Sequence, residues 1–315
     1  MVIIEDRQAL KRCVKQVVRH AAFVDIRLDQ AAGDWTGAAR AEAKRIVKQI
    51  AARQTLLLTR KEVALLSGLD ALGIPAAPEE LGRALEAYTD EAFFREILEV
   101  GPVRRIFLQS APIESTDERI APVFTVPDSI FHPGTYGVDY RACAQQIRQE
   151  LTPSTLLRYD GNDQDVLRYC LFPLAEEQGT VISLFLRDER AIEAFWEGYA
   201  KSGYLRAIIS TTPELEGRLI RALQGQSRLL LELTEPEHLP LALRELGVHF
   251  IPFSSRASDP LTMLGRWIGM REALWPALVD AYLPMARAGA LLRADCIEQD
   301  VAQLMGGNVL AWMDP

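Results

Sequence analysis

Hydrophobic and polar positions along the chain change their period several times. The changes divide it into short apolar runs and longer amphipathic stretches. The first run, "FVDIRLD" (23–29), alternates as a buried strand does, apolar residues on one side and polar ones on the other. Between about residues 36 and 100 the period becomes helical. "GAARAEAKRIVKQIAARQ" repeats apolar residues at helical spacing, and "PEELGRALEAYTDEAFFREILEVG" opens on proline and closes on glycine. "VRRIFLQS" (103–110) returns to a strand pattern, and the Pro-Gly pair in "DSIFHPGTYG" marks an irregular loop.

Further strand candidates follow at 154–160 (STLLRYD), 180–188 (TVISLFLRD), 204–211 (YLRAIIST), 228–233 (RLLLEL) and 248–253 (VHFIPF). Amphipathic segments such as "AIEAFWEGYAKSG", "PELEGRLIRALQ" and "EPEHLPLALRELG" separate the later ones. This alternation is the pattern of parallel βαβ units. Seven strands are visible, and an eighth is placed within "DVLRYCLF" (165–172). The expectation is a (β/α)8 barrel, with an open doubly wound sheet as the alternative. The last third is helical. Pro276 or Pro284 is expected to break its long apolar stretch, and the glycine pair of "ADCIEQDVAQLMGG" is expected to end the final helix.

Composition narrows the function classes. The 315 residues are 49% hydrophobic and 25% charged, with a net charge of −8. An acidic chain without a dense basic tract disfavours nucleic acid as a partner. The basic opening, "RQALKRCVKQVVRH", reads as the solvated side of an amphipathic helix. Four scattered cysteines, Cys13, Cys143, Cys170 and Cys296, form no C-x-x-C pair and no disulfide framework. No signal peptide and no apolar run of membrane-spanning length stands out, so a cytoplasmic location without membrane association is expected. Neither a nucleophile elbow nor a Walker loop nor a dinucleotide fingerprint is present.

The most specific signal lies at the end of the chain. Arg266-Trp267, the segment Tyr282 to Gly289, and Ile297, Asp300, Val301, Leu304, Asn308 and Trp312 together resemble the C-terminal motifs of the uronate (glucuronate) isomerase branch of the amidohydrolase superfamily. "FVDIRLD", the helical stretch after it, "LLRYD" and "TTPELEGRLIRAL" extend the resemblance over most of the chain. The resemblance implies a single domain over 1–315. It would be a distorted (β/α)8 TIM-like barrel with a helical insertion at 36–100 and C-terminal helices at 259–315. It also implies aldose–ketose interconversion of a hexuronate, assisted by a divalent metal such as zinc, with basic side chains holding the sugar carboxylate.

The present residues depart from that pattern where the metal would bind. Family members carry H-x-H after the first strand, because alternate strand residues can bring two imidazoles to one ion. Here the positions are Arg27 and Asp29. A guanidinium keeps its proton near neutral pH and has no lone pair to offer a metal. Arg27 and Asp29 would form an internal ion pair in place of the metal's charge, or only a salt bridge at the rim. The aspartate expected after the last strand becomes Ser254 or Arg256, depending on register. Asp259 reads as the N-cap of the next helix, with Pro260 at its first position, and could rescue a metal site only if the loop were rearranged. None of the four histidines, His20, His132, His238 and His249, pairs with another at metal-ligand spacing.

What persists is basic. Arg158 and Asp160 stand at the end of the third family strand, Arg187 and Arg190 at the end of the fifth, and Arg256 after the eighth. Arg27, Arg158, Arg187 and Arg256 are the candidate substrate-binding residues, able to hold a carboxylate in bidentate fashion. The competing reading pairs these arginines with neighbouring acids. If the protein is an active, metal-independent isomerase, Asp29 and Asp160 are the candidate proton carriers. If it is a pseudoenzyme, it binds a sugar acid or partners an active paralogue. A third reading is an oligomer subunit with no ligand. No cofactor is expected. The protein purified from zinc-supplemented cells should carry metal well below stoichiometry by elemental analysis, and near-stoichiometric zinc would overturn the loss of the site.

Overall fold

The computed structural model describes residues 3–4, 6–25, 35–52, 57–108, 117–131, 137–152, 154–161, 163–252, 257, 259–288, 290 and 292–313. The chain divides into two compact units, one made of residues 1–120 with 253–305 and the other of residues 121–252 with 306–315. Among the described residues no helix is long and apolar enough to cross a membrane.

The first unit begins with helix Arg7–His20, capped by Asp6, whose carboxylate accepts the Ala9 N–H at 2.7 Å. Leu10, Val14 and Val18 are its buried stripe, and the basic residues lie on the solvated side. Strand β1 (Phe23–Asp25) pairs in parallel with strand β2 (Val103–Leu108). Between them run the helices Trp35–Ala51, Arg60–Ala71, Pro78–Glu86 and Asp90–Val100, as the helical period over 36–100 predicted. The distant Asp90 supplies acceptors for the orphan N–H groups of Trp35 and Thr36, at 3.2 and 2.7 Å. A short antiparallel pair, Ile3–Ile4 with Leu292–Arg293, joins the two ends of this unit.

Helix Pro260–Arg287 organises the unit. Asp259 caps it, accepting the Thr262 N–H at 2.9 Å, with Pro260 in the first turn. The expected break at Pro276 or Pro284 does not occur, and the helix runs through both. The carbonyls that these prolines leave without an amide partner belong to Glu272 and Asp280, both exposed, so water can satisfy them. Two side chains one turn apart hold β1. Trp267 donates its indole N–H to Asp25 at 2.6 Å, and its ring meets Phe23 edge-on at 5.0 Å. Arg271 donates to the carbonyls of Arg19 and Ala21, at 2.8 and 2.7 Å, and so caps the first helix. Burial lowers the Arg271 guanidinium to a pKa of about 10.

The second unit holds six strands among its described residues, parallel and paired in chain order. They are β3 (Ile120–Thr125), β4 (Leu156–Tyr159), β5 (Ile182–Leu186), β6 (Ala207–Thr211), β7 (Leu229–Glu232) and β8 (Phe250–Ile251). Helices alternate with them, among them Tyr140–Glu150, Glu189–Tyr199, Pro213–Ala222 and Leu239–Leu246. One expectation needs correction here. Residues 165–172 are helical, forming Gln164–Val166, a π-turn at Leu167–Leu171 and the start of Phe172–Gln178. Asp163 caps this run, and Val166, Leu167, Cys170, Leu171 and Leu174 are buried at helical spacing. The missing strand is β3, masked in the sequence by the exposed Pro122, which lies one residue before the first pair with β4. The helix that begins at Ala294 does end at the glycine pair, since Gly306 leaves the helical region at φ 108°, but a further short helix, Asn308–Met313, follows it.

The motif residues at the end of the chain are packing devices. Tyr282 donates to Asp300 at 2.7 Å, Asn308 donates to the Val248 carbonyl at 2.8 Å, and Ile297, Val301 and Leu304 are buried.

Helices Arg60–Ala71 and Pro260–Arg287 approach through glycines. A Cβ on Gly265 would lie 1.6 Å from the Ala64 carbonyl oxygen, and one on Gly68 would lie 2.2 Å from that of Leu261. One turn further on, Gly269 is exposed and has open space around it. Gly265→Ala is therefore expected to destabilise the protein by about 1–3 kcal/mol or more through overpacking. Gly269→Ala, in the same helix, should stabilise by up to about 1 kcal/mol from helix propensity. Urea denaturation midpoints of the two variants give the comparison, and equal midpoints would refute the close crossing.

Candidate functional site

In parallel strands, residues opposite one another point to the same side of the sheet, and each strand alternates sides along its length. The registry of the second unit aligns Thr125 with Arg158, Arg158 with Ser183, Ser183 with Ile208, and Ile208 with Leu230. Two residues further along each strand, Phe185 aligns with Ser210, and Glu232 aligns with Ile251. Thr125, Arg158, Ser183, Ser210 and Glu232 therefore share one face. The opposite face carries Phe124, Leu157, Tyr159, Ile182, Leu184, Leu186, Ile209, Leu231 and Phe250. It supplies the apolar surface that amphipathic helices require.

The polar face is also deeply buried. Arg158 is 2% exposed, Ser183 1%, and Ser210 and Glu232 0%. Ser210 donates its hydroxyl to the Leu184 carbonyl at 3.3 Å. Neither the Ser183 nor the Thr125 hydroxyl oxygen has a hydrogen-bond partner among the described residues, although both are out of solvent. The same holds for His249 Nε2, one residue before β8. Strand alternation carries His249 to the same side as Leu230. Buried hydroxyls normally find partners. Several without one on a single face mark a place prepared for a polar guest or ordered water.

The structure treats the sequence-derived site residues unequally. Arg158 lies within β4 on the polar face. Asp160 follows one residue past the strand end and is half-buried. Arg187 and Arg190, after β5, are exposed. Arg27, Asp29, Ser254, Arg256 and His132 lie outside the described residues. Asp259 is 2% exposed, and burial pushes its carboxyl up despite the Thr262 contact.

Sequence reasoning missed Ser183, Ser210 and Glu232. Their signal was polar residues within short apolar strands, Ser183 in ISLFL, Ser210 beside Thr211 in AIIST, and Glu232 in LLLE. The last also carries the formal charge opposite to that of Arg158. Tyr159, on the other face, is buried enough for its phenol to be pushed up to about 12.

Comparison with solved structures places this geometry. A uronate isomerase from Bacillus halodurans C-125 superposes with a TM-score of 0.78 over 98% of this chain and 97% of that one, at 14% sequence identity. The chain has the fold of a uronate isomerase. It is a distorted (β/α)8 barrel, which excludes the open doubly wound alternative. No family model and no curated protein sequence matches the chain. In (β/α)8 barrels generally, chemistry is built at the carboxyl ends of the strands, which is where Glu232 and Asp160 stand.

If the Ser183 hydroxyl serves a guest rather than the empty fold, its removal should not weaken the unliganded protein. Ser183→Ala is expected to leave thermal stability unchanged or raise it slightly, because no intramolecular hydrogen bond is lost. A loss above about 1 kcal/mol in a denaturation experiment would show that the hydroxyl is already bonded.

Proposed function

We propose that this protein binds a hexuronate or closely related sugar acid on the polar face, with Arg158 receiving the carboxylate. One observation carries the reading. A guanidinium buried to 2% exposure shares its face and register with Ser183, whose hydroxyl lacks a partner among the described residues. A buried cation attracts a carboxylate more strongly than a solvated one does, and the planar guanidinium matches it in two parallel hydrogen bonds. Hydroxyls at Thr125, Ser183 and Ser210, with the Glu232 carboxylate as acceptor, suit a ligand rich in hydroxyl groups. The likeness to a uronate isomerase supports that choice of acid, and at 14% identity it supports only that.

The donor set does not fit the family's divalent metal. Arginine and aspartate stand where two imidazoles are needed, and serine or arginine where a carboxylate is needed. Among the described residues no cluster of three histidine, cysteine, aspartate or glutamate side chains could hold an ion. The reading is therefore a sugar-acid-binding protein without metal-assisted turnover, a pseudoenzyme with respect to the family reaction. Metal-independent isomerisation is the second reading. It is favoured by the Glu232 and Asp160 carboxylates, which stand at the carboxyl ends of β7 and β4.

D-glucuronate is expected to raise the unfolding temperature of the full-length protein. At a ligand concentration about 100 times Kd the stabilisation is about 2.7 kcal/mol. Arg158→Met keeps the volume and removes the charge. It should abolish the shift, and a melting curve without ligand checks that the variant is folded. An equal shift in wild type and Arg158→Met, or none with any uronate, would defeat the assignment.

A further inference from the structure

Outside the polar face, one pair of ionisable side chains is built with unusual completeness. Glu216 belongs to helix Pro213–Ala222, which follows β6, and its side chain has no exposed surface. Its Oε1 accepts the Thr234 N–H at 2.6 Å and the Thr234 hydroxyl at 2.7 Å. Its Oε2 lies 2.5 Å from His238 Nδ1. Thr234 and His238 lie in the loop that leaves β7, beginning two residues after Glu232. Leu233, between Glu232 and Thr234, donates its N–H to the Ile251 carbonyl at 2.9 Å.

With Glu216 ionised and the imidazole neutral, the hydrogen between them sits on Nδ1 and Nε2 offers its lone pair. The His238 side chain is 29% exposed, so its ring is within reach of a small molecule. Burial pushes the Glu216 carboxyl up, against the pull of Thr234 and His238. Glu235 and Glu237 are the charged neighbours on the same loop, and Glu216 is the charged group bonded to the ring from another element.

We propose that Glu216 and His238 form an acid–base dyad at the carboxyl ends of β6 and β7, with Glu216 as the positioning residue and His238 Nε2 exchanging a proton with a sugar acid. This rests on the second, metal-independent reading of the sugar-acid site and adds a proton carrier to it. Nε2 removes the proton from the hydroxyl-bearing carbon beside the aldehyde. The C–H electron pair forms the new C=C bond as the carbonyl oxygen takes the charge. Return of a proton from the imidazolium restores the carbonyl, so no electrons leave the substrate and no oxidant is required. In D2O the returned hydron comes from solvent.

The test uses full-length protein with 15N-labelled histidine rings and D-glucuronate in D2O. Wild type should show the Nδ1–H tautomer and bind the sugar acid by thermal shift. It should also lose the proton signal of the carbon beside the aldehyde. His238→Asn keeps a side-chain N–H donor for Glu216. It should therefore keep the clamp and the thermal shift while exchange falls by about 100-fold or more. Glu216→Gln presents an N–H to Nδ1, so the hydrogen should move to Nε2 and exchange should fall as well. A clamp that only holds the loop would let His238→Asn exchange at the wild-type rate. That result, an Nε2–H tautomer in wild type, or binding without exchange would overturn the dyad. Absence of any thermal shift in wild type would instead remove the sugar-acid reading, and with it the dyad's substrate.

Discussion

A carboxylate with no solvent exposure must be supplied with donors, and at the end of β1 this requirement fixes much of the first unit. Asp25 takes the indole N–H of Trp267 at 2.6 Å from a helix more than 240 residues away in sequence. Gly101 keeps that indole in place, since a Cβ there would fall 2.7 Å from the ring. Arg271, one turn on, ties the same helix to the carbonyls at the end of the first helix and lies over the Phe23 ring at 5.0 Å. The segment "FVD" is thus pinned by hydrogen bonds and aromatic packing.

Much of the architecture could be read from periodicity. Strand and helix alternation after residue 150, the helical content of 36–100 and the Asp259 cap all depend on contacts only a few residues apart. The errors share a physical cause. The strand at Ile120–Thr125 was hidden by Pro122, which propensity penalises although its exposed position, before the first pair with β4, tolerates it. The apolar run at 165–172 fits a buried strand and a buried helix equally well, and Asp163 decides between them only through its hydrogen bonds. Pro276 and Pro284 looked like helix breaks because nothing in the sequence tells whether the carbonyl one turn back faces water.

The site was less legible than the fold. Arg158 stood out as a charge at a strand end. Ser183 and Glu232 vanished into apolar runs, because which side of a strand a residue faces matters only once the register across several strands is known. His238 looked incidental because its partner, Glu216, is 22 residues away and on another element. The C-terminal motifs that carried the family resemblance proved to be hydrogen bonds and core contacts. Motifs of that kind preserve a scaffold without preserving its chemistry.

The first unit is discontinuous along the chain, and this bears on how the protein is made. Its opening 120 residues are completed by residues 253–305, whereas strands β3 to β8 are all present once residue 251 has left the ribosome. Until then Asp25 has no Trp267, the first helix has no Arg271, and Ala64 has no glycine-lined neighbour to pack against. The nascent chain therefore exposes the apolar faces of its opening helices while the later strands are already able to pair. Such exposed faces tie the folding of the first 120 residues to the release of the last third of the chain.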